Sequence, residues 1–557
     1  MSVTMRRRPR PPALARGVGP GHVVGPHRPG LRGVVSLYAR LTRRTAGMIA
    51  LVVVGYVALE IASFRTAYPD GVSPLQFEIF RDNPAVRMMS GVPEALDTAG
   101  GFMVWDAGWL LQVIVAVWAV LTTSRVLRGE EDVDRSDLVL ASPVRPDAVT
   151  GAIVVVVAAE ALVIGAAATL TLGLAGEAWP GAVLFGGGLF GVGATFVGLT
   201  AVVSQLVDVR RRVVGVAVVS MGAAYALRML ATSSDSRLAL RWLTPLGWID
   251  ELKPFGANVA VALLPLLGVP VVLVVVAVRL RAARDAGGAL LAPESGGRSR
   301  LRLLSSPIAF AWRSTRASLL GWAAGLAAFA AVMGALVATM IDWISGDPGY
   351  QRILADLGLD EALTIKGFVA MLSLVLCLAI AVQVISRIGV ARTEEEAARL
   401  EALLARRVGR LRWLGGHVLL AAVGAVLLAV VVGVGMWAGA RAAGSSALTL
   451  SDTVTANLNT LPVVALVAGL SIGLFGTVPR LTVTVPSAVV MAGFVLYLLG
   501  PALEWPAWAL NLSPFTHVAM VPAQRWQSTS GLVMTAIGGV LAAVGMLCFR
   551  RRDVGAG

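Results

Sequence analysis

Apolar runs long enough to cross a bilayer recur along this chain, and no other feature limits its fold as tightly. Residues 148–172 and 416–439 are the plainest of them. An α-helix needs roughly 20 apolar residues to cross the ~30 Å hydrocarbon core. Inside that core every backbone N–H and C=O must find a partner within the protein, which leaves helices or closed barrels. Barrel strands run about ten residues with alternating polarity, and these runs are longer and uniformly apolar. Twelve spans are predicted, near 46–64, 102–123, 148–172, 181–205, 213–230, 258–279, 317–342, 367–388, 416–439, 460–478, 483–501 and 530–549. Only 14% of the 557 residues are charged, and the mean hydropathy is +0.77. A soluble protein would carry about a quarter charged residues. The predicted fold class is an all-α polytopic membrane protein.

The net charge of +14 would suit a nucleic-acid partner if the basic residues were clustered on a soluble face. They lie between the apolar runs instead. With a cytoplasmic N-terminus, the inside segments are 1–45, 124–147, 206–212, 280–316, 389–415, the turn at Arg480, and 550–557. Together with the bordering Arg279 and Arg387 they hold 36 of the 47 basic residues, leaving 11 elsewhere. That asymmetry puts both termini in the cytoplasm of a multi-pass protein of the cell's inner (plasma) membrane, and no nucleic acid is expected as a partner. Residues 1–32, rich in Arg, Pro and Gly, read as a disordered cytoplasmic tail. A twin-arginine export signal is set aside because no apolar stretch with a small-residue cleavage site follows closely. Residues 34–44 place Val34, Leu37, Tyr38 and Leu41 on one face and Arg40, Arg43 and Arg44 on another, which predicts a helix lying on the inner leaflet before the first span. Trp105, Trp109 and Trp118 suggest an interfacial belt with some packing. Cys377 and Cys548 fall in predicted spans and read as small core residues.

The chain also repeats itself. Segment 128–144 (RGEEDVDRSDLVLASPV) aligns without gaps on segment 392–408 (RTEEEAARLEALLARRV) at an offset of 264. Arg128 meets Arg392, Glu130 and Glu131 meet Glu394 and Glu395, Arg135 meets Arg399, Leu140-Ala141 meet Leu404-Ala405, and Val144 meets Val408. Downstream, Leu243-Thr244-Pro245-Leu246 answers Leu512-Ser513-Pro514-Phe515. Upstream, Tyr38-Ala39 and Arg44 answer Phe310-Ala311 and Arg316. Shared membrane composition explains apolar similarity but not matching acidic loops. Each half has an even number of spans, so the repeat is parallel. The organisation read from this is a tail over 1–32, a six-helix half over 33–279, a linker over 280–302 and a second six-helix half over 303–557.

The repeated segment lies in the loop between the second and third spans of each half. Glu131 to Arg135 and Glu395 to Arg399 are predicted i,i+4 pairs. Leu138 and Leu140 in one copy, and Leu400, Leu403 and Leu404 in the other, would give a short helix an apolar face. A solvated loop is the plain reading of one copy; two copies at equivalent positions suggest a docking element.

On these residues the chain resembles the permeases of ABC-type exporters. The segment R-x-E-E-x-x-x-R followed by Leu-Ala and Val after the second span is similar to that family's coupling helix, which contacts an ATP-binding subunit. The L-[ST]-P-[LF] motif before the sixth span is similar to its outer re-entrant region. The double length looks like the fused permeases of actinobacterial exporters of polyketide and tetronasin-type antibiotics. The resemblance covers about residues 33–552. It implies two copies of an ATPase partner, docked through Glu130, Glu131, Arg135, Leu138, Leu140 and Val144, and through Glu394, Glu395, Arg399, Leu403, Leu404 and Val408. ATP and Mg would be bound by those partners, with no cofactor on this chain and a hydrophobic small molecule as cargo. Ser136 and Asp137 depart from the Leu400 and Glu401 of the other copy, which puts the equivalence of the two helices in doubt.

No G-x-x-x-x-G-K-[ST] phosphate loop is present: the two lysines sit in DELKPF and LTIKGF. Ionisable residues within spans are functional candidates. Glu160 lies amid apolar residues and could line the pathway or bond a neighbouring helix. Glu60 and Arg228 lie nearer outer ends and could snorkel to the interface. His417 begins the ninth span and reads as structural. A proton-coupled carrier acting alone, with Glu160 as proton carrier, is the alternative function. A membrane-embedded glycosyltransferase using Asp70, Glu78 or Asp82 of the first outer loop is a third.

Overall fold

The computed structural model describes residues 30–553, apart from 70, 83, 134, 285–287, 292–306, 347–363, 397–398, 406–408 and 502–504. Most of the predicted tail, most of the linker and Val408 lie outside these residues. No strand occurs among the described residues. Twelve long apolar helices carry the fold. They are α1 (Leu31–Ala67), α2 (Ala99–Ser124), α3 (Pro146–Leu174), α4 (Trp179–Leu206), α5 (Arg210–Thr232) and α6 (Leu263–Ala282), then α7 (Pro307–Gly346), α8 (Ile365–Glu396), α9 (Arg410–Ala442), α10 (Leu461–Thr477), α11 (Thr484–Leu499) and α12 (Ser528–Arg551). Each lies on a predicted span. Among the described residues, eleven helical stretches are long and apolar enough to cross a membrane. The exception is α11, whose 16 residues reach only about 24 Å before Gly500 and Pro501 end it.

One expectation needs correction. The amphipathic segment 34–44 is no separate surface helix. It forms the first turns of the 37-residue α1, which no proline interrupts. Val34, Tyr38 and Thr42 face the core, whereas Leu37 and Leu41 are exposed. Of the tryptophans expected to form an interfacial belt with some packing, Trp109 is partly buried and the other two pack in the core. Trp105 and Trp118 are buried, and Trp105 Nε1 donates to the Gly91 carbonyl at 3.1 Å. A buried indole N–H needs such a partner.

Two large apolar cores form, one drawn almost wholly from α1–α6 and one from α7–α12. They adjoin where Leu336 of α7, Met371 of α8 and Tyr497 of α11 reach the first core. In both sets of six the first helix packs on the third, the second on the fourth and the fourth on the sixth. Lipid offers no hydrophobic drive for helices to associate, so close approach of small residues must supply it. Gly191 and Gly198 of α4 face Leu266 and Leu273 of α6, and Gly469 and Gly476 of α10 face Gly538 and Gly545 of α12. A Cβ on Gly476 would stand 2.0 Å from the Gly545 carbonyl oxygen.

The repeated Leu-Thr/Ser-Pro corner has the same anchor twice. Thr244 Oγ1 donates to the Ala224 carbonyl of α5 at 3.0 Å, and Ser513 Oγ donates to the Gly493 carbonyl of α11 at 2.7 Å. Both hydroxyl residues are fully buried.

The glycine contact yields a prediction. Gly476→Val should force α10 from α12, cost more than the ~1–3 kcal/mol of ordinary overpacking, and lower the melting temperature of the detergent-solubilised protein. Gly539→Val is the control, since a Cβ there meets nothing within 4 Å. Equal melting temperatures for the two variants would show that the close approach does not matter.

Candidate functional site

The repeated acidic segments sit at the basic end of the bundle, and each begins where the second helix of its six runs out. After α2 a π-helical turn over Arg125–Gly129 carries Arg128 into the interior, where it is 1% exposed. Arg128 pairs with Glu131 and donates through Nη2 to the Gly288 carbonyl at 2.8 Å. Glu131 also accepts from Arg284 Nη2 at 2.5 Å and lies 3.9 Å from Arg281. In the second copy Arg552 Nη2 donates to both oxygens of Glu395, at 2.6 and 2.7 Å. The Arg552 guanidinium lies over the Phe475 and Phe549 rings at 5.5 and 5.6 Å. Arg284 follows the end of α6 and Arg552 the end of α12. In both copies, then, the second glutamate of the motif holds the residue just past the last helix of its six.

For Glu131 the long-range pair replaces the predicted local one, while the Arg399 side chain lies outside the described residues. Glu131 is committed to Arg128, Arg281 and Arg284, and the chain turns at Asp132–Val133 before an exposed Arg135 starts a new helix, Arg135–Leu140. Glu395 is committed to Arg552, while Arg399 opens the short helix Arg399–Leu404. The other motif acids also turn inward. Glu130 lies with Glu131 near Tyr38 of α1, and Glu394 lies 3.7 Å from Nε2 of His417, whose ring packs on Trp413.

The two short helices present different faces. Leu138 is 79% exposed, while Leu140 and Val144 rest on the first core. In the second copy Leu400 is fully buried against Trp413, Leu414, Phe475 and Phe549, and Leu403 and Leu404 pack on the same cluster. The departure seen in the sequence explains this difference. Leu400 anchors its helix, and Ser136 at the matching position cannot, so the first copy keeps an apolar side chain outside.

The three ionisable residues singled out in the spans, Glu160, Glu60 and Arg228, are not brought together; each has its own partners. Glu160 Oε1 lies 2.6 Å from Thr42 Oγ1, tying α3 to α1. Glu60 accepts a hydrogen bond from Tyr56 one turn earlier on α1, beside Asp106 of α2. Asp106, within VWDAGW, was missed in the sequence; a carboxylate among tryptophans in an apolar run was the available signal. Arg228 does not snorkel. It is 1% exposed and grips Asp250 through Nε at 2.7 Å and Nη2 at 3.0 Å, with Nη1 donating to the Met89 carbonyl at 3.1 Å. Gly91, at φ +93°, leaves room for that guanidinium, since a Cβ there would lie 3.1 Å from Nη2. The same end carries Lys253–Glu94 and Arg241–Glu251 pairs at 2.7 Å. There too, the hydrogen bond and charge of Arg87 hold the Asp235 carboxyl below the usual carboxylate range.

An apolar cavity of about 280 Å³ opens between α8, α9, α10 and α12, lined by residues such as Ala421, Ala425, Val464, Gly469 and Gly538. Its lining has no charged side chain. A compound held there would be recognised by shape and apolar contact.

The Arg228 clamp supports a direct test. Arg228→Met should leave Asp250 buried and unpaired, destabilising the protein by about 3–5 kcal/mol. Replacing both partners with Met and Leu should recover most of that loss. A thermal melt in which Arg228→Met matches the parent would refute the clamp.

Comparison with known proteins bears on this arrangement. The family described as "Multidrug efflux system permease Rv1217c, C-terminal domain" matches residues 304–550. The chain is 32% identical over 538 residues to the multidrug efflux system permease protein Rv1217c of Mycobacterium tuberculosis (strain ATCC 25618 / H37Rv), covering 95% of this chain and 97% of the relative.

Proposed function

The chain belongs to the family of multidrug efflux permeases, and from that premise we propose that it is the transmembrane subunit of an ATP-driven exporter in the plasma membrane. Hydrophobic compounds are its cargo, which accords with the uncharged lining of the cavity beside α9. Hydrolysis of ATP, with its Mg, belongs to a separate chain. Two copies of that ATPase dock from the cytoplasm, one on each short helix of the repeated segments.

The observation that carries this reading is Leu138. A leucine 79% exposed on a six-residue helix outside the spans is what an apolar contact to a cytoplasmic partner requires. The second docking helix, Arg399–Leu404, spends its leucines on the core and offers its partner a polar face that includes Glu401. The two motors are therefore held unequally.

Leu138→Asp should abolish co-purification of one ATPase copy and cut ethidium efflux from cells at least tenfold, with an unchanged melting temperature. Efflux and co-purification at the parental level would overturn the docking assignment. A proton-coupled carrier acting alone is the second reading, and the adjacency of Glu60 and Asp106 within the spans favours it.

A further inference from the structure

The two copies of the acidic motif share little of their immediate surroundings. Arg128 and Arg281 crowd Glu131, whereas the Phe475 and Phe549 rings crowd the arginine that Glu395 binds. One link is common to both: Glu131 to Arg284, and Glu395 to Arg552. In each copy the glutamate stands four residues before the arginine that opens the short helix, and its partner stands within two residues of the end of the last span. The contact is charge-assisted and well shielded, with side chains of Glu131 and Glu395 only 13% and 14% exposed. Hydrogen bonds between ionised partners in such surroundings are short and strongly oriented.

The last span is in turn fixed to the fourth. Gly191 and Gly198 lock α4 to Leu266 and Leu273 of α6, and Gly469 and Gly476 lock α10 to Gly538 and Gly545 of α12. A chain of hydrogen-bonded and packed groups thus runs from the motif glutamate that precedes each short helix, through a terminal arginine, into a pair of spans. Energetic coupling between distant sites needs such a chain with rigid parts.

We infer that Arg284 and Arg552 are positioning residues that join each docking helix to its sixth span, so that movement imposed by a motor reaches the transport pathway through the Glu131–Arg284 and Glu395–Arg552 pairs. This inference rests on the ATP-driven reading above. It also gives the two glutamates a role other than touching the ATPase, because their carboxylates point into the bundle.

The test measures ethidium efflux, membrane abundance and ATP hydrolysis for Glu395→Arg, Arg552→Glu and the two combined. In the permease that accumulates, each single reversal should leave co-purification of the ATPase and basal hydrolysis per permease within twofold of the parent. Ethidium moved per ATP hydrolysed should fall at least fivefold, and the combined exchange should restore at least half of it. A pair that serves only the fold would lower abundance and activity together. If the reversals fail to accumulate, Glu395→Gln and Arg552→Gln take their place, with the same fall in ethidium per ATP expected. Parental efflux in well-folded single variants, or a combined exchange that accumulates yet stays uncoupled, overturns the inference. Failure of the parent itself to move ethidium with ATP would instead remove the reading on which it rests.

Discussion

Two ion pairs at the basic end of the bundle, Glu131 with Arg284 and Glu395 with Arg552, close each set of six helices on itself. A charge at the edge of hydrocarbon is costly unless paired, so the arginine just past the last span returns to the glutamate at the end of the second or just after it. That requirement fixes where the acidic segments sit, which way Glu131 and Glu395 point, and what remains free to meet a partner. The spans themselves are held differently, by backbone approach at glycines, because lipid supplies no hydrophobic drive between them. Ion pairs at the ends and glycine contacts along the length are the two means by which this fold is made rigid.

The sets of six are alike in plan and unequal in use. Both have the terminal arginine pair and the buried hydroxyl corner at Thr244 and Ser513. Only the first has Glu160 and the Arg228–Asp250 clamp. The second has glycines at 538 and 545 where the matching contact in the first has Leu266 and Leu273, and an apolar cavity borders that thinner helix. The first copy of the short helix leaves Leu138 outside, while the second buries Leu400. Under the proposed function the two sets divide their tasks, the first presenting an apolar contact at Leu138 and the second a space for an apolar compound.

The spans were legible because hydrocarbon thickness imposes a length that few other structures need. The family was legible because an acidic motif occurred twice at one offset. What escaped the sequence was pairing across distance. Local spacing matched Glu131 with Arg135, yet it pairs with Arg128 on its other side and with Arg284, 153 residues away, and Arg284 and Arg552 looked like topology charges beside a span. The segment 34–44 had the pattern of a surface helix, but an amphipathic period is equally satisfied when one face of a longer helix packs on a neighbour, as Val34, Tyr38 and Thr42 do. Trp105 had the position of a belt residue and the surroundings of a core residue, which only the Gly91 carbonyl distinguishes. Asp106 carried a sequence signal in VWDAGW, but its neighbour Glu60 is set by the packing of α1 on α2.

Under the proposed function, this permease moves hydrophobic compounds only when a separate ATPase drives it. The most direct measurement is ethidium transport into liposomes containing the purified chain, with and without the co-purified ATPase, under ATP or under an imposed proton gradient. Transport is expected to need both the ATPase and ATP and to ignore the gradient. Gradient-driven transport by the chain alone would contradict the proposed function.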